Sequence, residues 1–336
     1  IEQFKEIKYF ESLDGLRALA VLMVISWHYG GADAHGLTGW LGVHVFFVLS
    51  GFLITTLLLR ENDSHGSISL RNFYVRRIFR IMPVYYVVFA LVIWKTHAIG
   101  GDDWISLKRA IPFYATFFNE SPATGWAPWK LTWTMGIEWK FYMAWPLLTF
   151  VIARTASARI LVVAALILAI AAAWSTRNLF YPYTYSVLVQ GGVLGLIMNS
   201  RRGFTLFANL TRPAVSVVVM LAFIGIQTQI SKVALTLGDI NLQNLYGLAV
   251  VVLIPAILGN GLPQRILSSA PFVFIGRRSF SLYLVQELAW QAVQRWTPWV
   301  GVHGWAAMGA TTVVGLGMAA VLFRKVGRPR IAFGRR

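Results

Sequence analysis

Long apolar stretches recur along almost the whole chain, and they constrain the fold more than any motif does. A helix of roughly 20 residues is needed to cross the hydrocarbon core of a bilayer. Ten segments approach that length: Leu16–Asp33, Trp40–Leu59, Ile81–His97, Trp133–Ile152, Ile160–Trp174, Tyr183–Met198, Pro213–Ile230, Leu245–Gly259, Ser279–Gln294 and Trp305–Phe323. Hydrophobic residues make up 57% of the 336 residues and charged ones 13%, too little charge to cover a soluble surface of that size. The pattern predicts an all-α polytopic membrane protein, one bundle of about ten transmembrane helices spanning 1–336 as a single domain. No internal repeat is visible.

Charge orients the bundle. The formal net charge is +17, which in a soluble protein would point to nucleic acid. Here the basic residues fall in short runs between apolar segments, so membrane lipids are the expected partner and nucleic acid is excluded. One side collects Lys5, Lys8 and Arg17, the run Arg60 to Arg80, then Arg154 and Arg159, Arg201, Arg202 and Arg212, Arg265, Arg277 and Arg278, and the basic tail from Arg324 to Arg336. The other side holds far fewer: Lys95, Lys108, Arg109, Lys130, Arg177, Lys232 and Arg295. A bias of roughly three to one places both termini in the cytoplasm. Cysteine is absent, which removes disulfides, thiolate nucleophiles and thiolate metal sites; no metal is expected. The first apolar stretch carries Arg17 and His28 and no small-residue cleavage signal, so it reads as a span rather than a signal peptide. The chain starts at Ile1 instead of Met, and residues are expected to precede it.

Polar groups concentrate in the first 142 residues. Arg17 and His28 are eleven residues apart, hence on nearly one helix face and about 16 Å apart along the axis. A headgroup-anchored arginine with a histidine satisfied at the far interface fits these positions; so does a functional pair. Asp14 fits a helix cap. In the fourth span Thr134, Glu138 and Tyr142 follow at i, i+4 and i+8 and share a face, while Lys140 points elsewhere. A carboxylate at membrane depth needs a partner or a wet cavity. Counted from the outer side, Glu138 falls near the level of His28, where the two read as a general base with its orienting group, or as a structural contact between helices. Arg77 and Arg80 share a face at i, i+3 and read as a phosphate clamp or as cytoplasmic anchors. Gly51 offers a place for close helix approach. The aromatic residues of the connection 98–132, Trp104, Trp126 and Trp129 among them, suit an interfacial belt or a substrate platform.

Five runs, in order and over essentially the whole chain, resemble the acyltransferase-3 family of membrane O-acyltransferases. They are Arg17 with His28, Gly51-Phe52-Leu53-Ile54-Thr55, Arg77-x-x-Arg80-x-x-Pro83, Trp133-Thr134-x-x-x-Glu138-x-x-Phe141-Tyr142 and Gly276-Arg277-Arg278-Ser279-Phe280-Ser281-Leu282-Tyr283-Leu284. The resemblance implies ten helices and transfer of an acyl group, commonly acetyl from acetyl-CoA or another acyl-CoA, to a hydroxyl of a cell-surface or exported glycan, a lipid-linked sugar or a related glycoside. Lipopolysaccharide and other envelope polysaccharides are among the acceptors it leaves open. By that carry-over His28 is the catalytic base, with Glu138 and Thr134 beside it, Arg17 belongs to the donor path, and Arg77 and Arg80 hold the nucleotide end of CoA. It also implies a multi-pass protein of a bacterial cytoplasmic membrane. The sequence departs from the family at Gln286, where many members have His, and at Gly327, where a Glu is common; no catalytic role is given to either region. Some relatives append a soluble esterase-like domain, and none is expected here, which would leave the acceptor to bind within the membrane unit. A secondary transporter with an intramembrane His/Glu proton relay is the alternative, but such proteins often show repeated halves with broken helices, which this sequence lacks.

Overall fold

A computed structural model describes residues 2–7, 9–153, 155–175 and 182–327. Among the described residues every regular element is helical. The principal helices are α1 (Glu11–Tyr29), α2 (Gly42–His65), α3 (Leu70–Ile99), α4 (Gly101–Ala115), α5 (Trp133–Pro146, continued by a π turn over Leu147–Ile152), α6 (Ala156–Ser175), α7 (Pro182–Met198), α8 (Pro213–Leu258), α9 (Ala270–Gly276), α10 (Ser279–Trp296) and α11 (Trp305–Leu322). Six segments are long and apolar enough to cross a membrane: Gly39–His65, Leu70–Ile99, Ala156–Ala173, Pro213–Lys232, Asn241–Leu258 and Trp305–Gly327. Helices also form at the other four expected positions, α1, α5, α7 and α10. The apolar part of α7 is short, Tyr183–Met198, and the other three carry charged groups such as Arg17, Glu138 and Glu287. Lys8, Arg154, Arg177, Arg328, Arg330, Arg335 and Arg336, all part of the basic asymmetry, lie outside the described residues.

Helix ends differ from the sequence reading for local reasons. α1 stops at Tyr29, where the Gly30 N–H closes on the Ser26 carbonyl, so the expected continuation to Asp33 is a separate short turn. α3 begins at Leu70, eleven residues before Ile81, because the Ser69 hydroxyl accepts the Asn72 N–H at 3.3 Å and caps it. Arg77 and Arg80 therefore lie inside a continuous 30-residue helix.

In lipid no hydrophobic force drives helices together, and close backbone approach at small residues takes its place. A Cβ on Gly51 would stand 2.1 Å from the Leu188 carbonyl oxygen, and one on Gly191 the same distance from that of Val48. These glycines let α2 and α7 touch backbone to backbone. α1 is wedged in the same way: a Cβ on Gly15 would meet Leu267 O at 2.0 Å, and one on Gly276 would meet Asp14 O at 1.8 Å. α8 doubles back on itself. Tyr246 donates to Gln227 at 2.7 Å, and Gly259 packs against Thr211, whereas a straight 46-residue helix would hold its ends about 69 Å apart. Its returning arm is tied to α2 by His44 Nε2 and Gln243 Oε1 at 2.7 Å.

The connection before α5 positions the site. Its last part folds into the bundle, while some of its aromatic residues stay at the surface. Trp129 is 1% exposed, donates its indole N–H to Leu284 O at 3.0 Å and stacks on Phe89 at 5.4 Å. Buried Asn119 donates to Tyr85 at 2.8 Å and to Thr132 at 2.9 Å. Lys140 reaches back to this segment, pairing with Glu120 and donating to Phe117 O at 3.0 Å. Trp104 instead packs on His97, edge to face, and Trp126 is exposed.

Two predictions follow from this packing. Gly51→Ala is expected to lower stability by about 2–3 kcal/mol; Gly225→Ala, with open space at its Cβ, is expected to be neutral or to gain about 0.5 kcal/mol. Glu120→Gln alone strands the Lys140 ammonium and is expected to cost about 3 kcal/mol, most of it regained when Lys140→Met is added. Thermal unfolding in detergent, followed by circular dichroism, reads all of these.

Candidate active site

A cavity of about 690 Å³ opens among α1, α2, α3, α5 and α10, within the size range of small-molecule sites. Five of the six residues singled out from the sequence line it: Arg17, Arg77, Arg80, Thr134 and Glu138. His28 does not. The helical phases read from the sequence hold for the five. Thr134, Glu138 and Tyr142 descend one face of α5, and Arg77 and Arg80 project together from α3. Arg76, on another face of α3, is neutralised by Glu61 at 2.5 Å.

The cavity carries more positive than negative charge. Its lining holds Arg17, Arg60, Arg77, Arg80 and Arg277 against Asp14 and Glu138. Arg17 bonds Asp14 at 3.0 Å, with Arg277 3.7 Å from the other carboxylate oxygen. Asp14 is thus the arginine's partner; the helix has Phe10, not Asp14, at its N-cap. Arg60 donates to the Phe4 and Ile7 carbonyls at 2.6 and 2.5 Å and lies 5.0 Å over the rings of Phe4 and Phe10, which holds the N-terminal segment against the cavity mouth. The Arg77 guanidinium lies 5.5 Å over both Phe73 and Tyr142. Among the described residues no carboxylate oxygen comes within 4.0 Å of Arg77 or Arg80.

Glu138 ends a hydrogen-bonded chain. Tyr142 donates to Ser50 Oγ at 3.1 Å, and Ser50 donates to Glu138 Oε1 at 2.7 Å. Arg17 and Arg77 both act on the carboxylate electrostatically. One turn away, Thr134 donates to the Tyr283 hydroxyl at 3.0 Å, and Tyr283 in turn donates to Leu131 O.

The expected contact between His28 and Glu138 is absent: His28 Nδ1 bonds Val24 O of its own helix at 2.8 Å. Register explains the separation. Gly42 of α2 packs against Ala20 of α1. Ser50 lies eight residues from Gly42 toward the arginine end, and His28 eight residues from Ala20 the other way. At about 1.5 Å per residue the two ends differ by on the order of 20 Å. Counted from the membrane surface, Glu138 falls at the level of His28, but the connection before α5 folds inward and the helix begins inside the bundle. His28 is solvent-accessible and neighbours Tyr29, whose ring stacks on Trp290 at 5.8 Å.

Ser50, Arg60 and Tyr283 have no site role on sequence alone, and Asp14 reads only as a cap. Ser50 and Tyr283 stand beside or within the quoted runs, but a lone hydroxyl in a span gives no sign of what it faces. Gln286 is fully buried beside the cavity, donating to Tyr283 O at 3.0 Å, and Gly327 lines it.

Comparison with known proteins gives this geometry a family. The acyltransferase-3 family model, an acyltransferase domain, matches residues 10–324. The peptidoglycan O-acetyltransferase OatA of Listeria monocytogenes is 37% identical over 150 residues, covering 41% of this chain and 24% of that protein. A provisionally named peptidoglycan O-acetyltransferase of Bacillus subtilis is 36% identical over 157 residues, 42% of this chain and 24% of its own length. A provisionally named O-acetyltransferase of Staphylococcus aureus is 35% identical over 167 residues, 47% and 27% respectively. The matched segment is thus about a quarter of these relatives' length. No solved structure matches the chain. With a family model covering nearly all of the bundle and its basic cavity, the chain belongs to the acyltransferase-3 family of acyltransferases.

Proposed function

We propose that the protein is a membrane O-acetyltransferase of a bacterial cell envelope, moving acetyl or another short acyl group from acyl-CoA to a hydroxyl of a cell-surface glycan. Peptidoglycan, named for two of its relatives, is the leading acceptor. The six apolar segments together with α1, α5, α7 and α10 make ten spans. The basic asymmetry puts both termini and the arginine end of the cavity in the cytoplasm.

One observation carries this reading: the cavity joins unneutralised Arg77 and Arg80 to Glu138 and Thr134 within the helices. CoA has its charge at the nucleotide end and its thioester at the tip of a slender arm, and the cavity has the same polarity. Arg77 and Arg80, with Arg60 and Arg277 at the mouth, hold the phosphates through charge-assisted hydrogen bonds. The arm rises past Arg17 toward Thr134. Ser50 fixes the Glu138 carboxylate on the wall that faces Arg17 and Arg77, within reach of their charge.

His28 acts from the outer side of the same helix. Neutral imidazole takes the proton of the acceptor hydroxyl, whose oxygen bonds to the acyl carbon; the C–S bond breaks, and CoA leaves as thiolate and is protonated. General base catalysis of this kind contributes typically about 10²–10⁴ in rate. Because Nδ1 is engaged with Val24 O, Nε2 is the nitrogen left to accept that proton. The acyl group meets His28 beyond the end of the cavity that Thr134 lines.

Purified full-length protein, given acetyl-CoA and a muropeptide acceptor, tests both halves. His28→Ala is expected to lose at least about 10² in turnover while still binding acetyl-CoA. Arg77→Ala with Arg80→Ala is expected to weaken acetyl-CoA by roughly 10–100-fold at low salt. Unchanged turnover in the first, or unchanged donor affinity in the second, overturns the corresponding role. Absence of any acetyl-CoA consumption, with substrate movement across vesicles instead, would favour a transporter.

A further inference from the structure

A second cavity, of about 620 Å³, lies beside the inner rim, between the N-terminal turn of α1, helix α9 and the end of α11. It is lined by Arg277, Arg278, Phe274, Val273, Phe323 and Glu11 among others. Its charge is unbalanced. Arg277 stands 4.0 Å from Glu11 and 3.7 Å from Asp14, so the one carboxylate in the wall already has a cation. Arg278 has none within 4.0 Å among the described residues, and neither does Arg324.

Arg278 is held rather than satisfied. One of its terminal nitrogens donates to Phe274 O at 2.8 Å. Its guanidinium sits 3.7 Å over the Phe274 ring and 5.2 Å over that of Phe323. Its Nε is buried and bonds nothing. Burial, with Arg277 and Arg324 as neighbours, pushes this group below the ordinary arginine value, so an anion entering here would relieve a real electrostatic load. Five N–H donors on a planar fork suit a phosphate. The rest of the lining includes apolar Val273, Phe274 and Phe323, and Phe274 is 45% exposed on the surface of the bundle, not in its interior. A free phosphate would gain nothing from those side chains.

We propose that this cavity is a binding site for the phosphate of an anionic phospholipid, its glycerol and upper acyl chain lying along Phe274 and Val273. Basic pockets between helices on the cytoplasmic side are suited to such headgroups. The cavity shares Arg277 and Phe323 with the larger one, which sets the lipid beside the mouth of the proposed donor site without occupying it. The proposal does not depend on the acyltransfer mechanism, only on the basic end facing a leaflet that contains anionic lipid.

Full-length protein reconstituted in nanodiscs of equal parts phosphatidylcholine and phosphatidylglycerol, then released into detergent and weighed by native mass spectrometry, tests it. The wild type is expected to retain phosphatidylglycerol in preference to phosphatidylcholine. Arg278→Gln with Arg324→Gln is expected to reduce retention roughly tenfold or more, and Arg71→Gln, an exposed arginine elsewhere, to leave it unchanged. Arg324→Gln alone, at an exposed position, gives a partial loss in a variant whose folding is not in question. Equal retention of the two lipids, or wild-type retention in the arginine variants, overturns the proposal. So does displacement of the lipid by inorganic phosphate, which would make this a simple phosphate site, or one-for-one displacement by acetyl-CoA, which would make it part of the donor path.

Discussion

Everything about the site depends on two guanidinium groups, those of Arg77 and Arg80, that line a cavity of the helical bundle with no carboxylate oxygen within 4.0 Å among the described residues. A charged side chain at membrane depth costs about 2.5–3.5 kcal/mol on insertion scales, and a bundle built only for stability would pair or exclude it. Arg76 is treated in that way, bonded to Glu61 at 2.5 Å. Arg77 and Arg80, one and four residues further on, line a cavity instead; Arg77 lies over the Phe73 and Tyr142 rings, while Arg80 is exposed. The fold therefore carries a standing electrostatic deficit, and an anionic ligand is what removes it. Glu138 offsets part of it from across the cavity, but the Ser50 hydrogen bond at 2.7 Å holds that carboxylate on the opposite wall.

The geometry that keeps Glu138 there originates in the connection ahead of α5. Buried polar groups in lipid must find internal partners, and this segment finds most of its own across the bundle: Asn119 to Tyr85 and Thr132, Trp129 to Leu284 O, and Glu120 and Phe117 O to Lys140. Gly136 makes the contact possible, since a Cβ there would fall 2.0 Å from the Glu120 carboxylate. With these partners the non-helical segment lies within the bundle, although Asn119 Oδ1 and Glu120 Oε2 accept no hydrogen bond, and α5 starts inside the bundle behind it. Glu138 arrives at the level of the arginines because of residues that never touch it.

The periodic features were legible in the sequence. Apolar runs gave the helices, and spacing at i, i+3 and i+4 correctly paired Arg77 with Arg80 and aligned Thr134, Glu138 and Tyr142. The role read for Gly51 also held, since a 2.1 Å encounter with Leu188 O requires hydrogen at that position. Depth was not legible. Nothing local in Pro122 to Thr132 distinguishes a surface loop from a buried plug, because the distinction rests on partners up to 158 residues away, such as Glu287 accepting the Trp129 N–H. The reversal within α8 was legible as two apolar runs, while Asp14 was misread because a first-turn acid serves a cap and an i, i+3 arginine equally well.

The separation of His28 from Glu138 changes what the two can do together. Had they met, the carboxylate would have set the imidazole's tautomer and raised its basicity; instead the Val24 carbonyl fixes Nδ1, and a neutral carbonyl orients the ring without adding charge to it. The link between the arginine end and the histidine is then mechanical: eleven residues of α1, about 16 Å of helix, tied below through Arg17 and Asp14 and packed against Leu267 and Gly276 by backbone contact. A helix clamped so tightly at its inner end behaves as a fixed ruler. On the proposed reading, a donor gripped by Arg77 and Arg80 has its reactive end placed relative to His28 by that ruler, so the length of the pantetheine arm is matched to a distance in the protein and not to the acceptor.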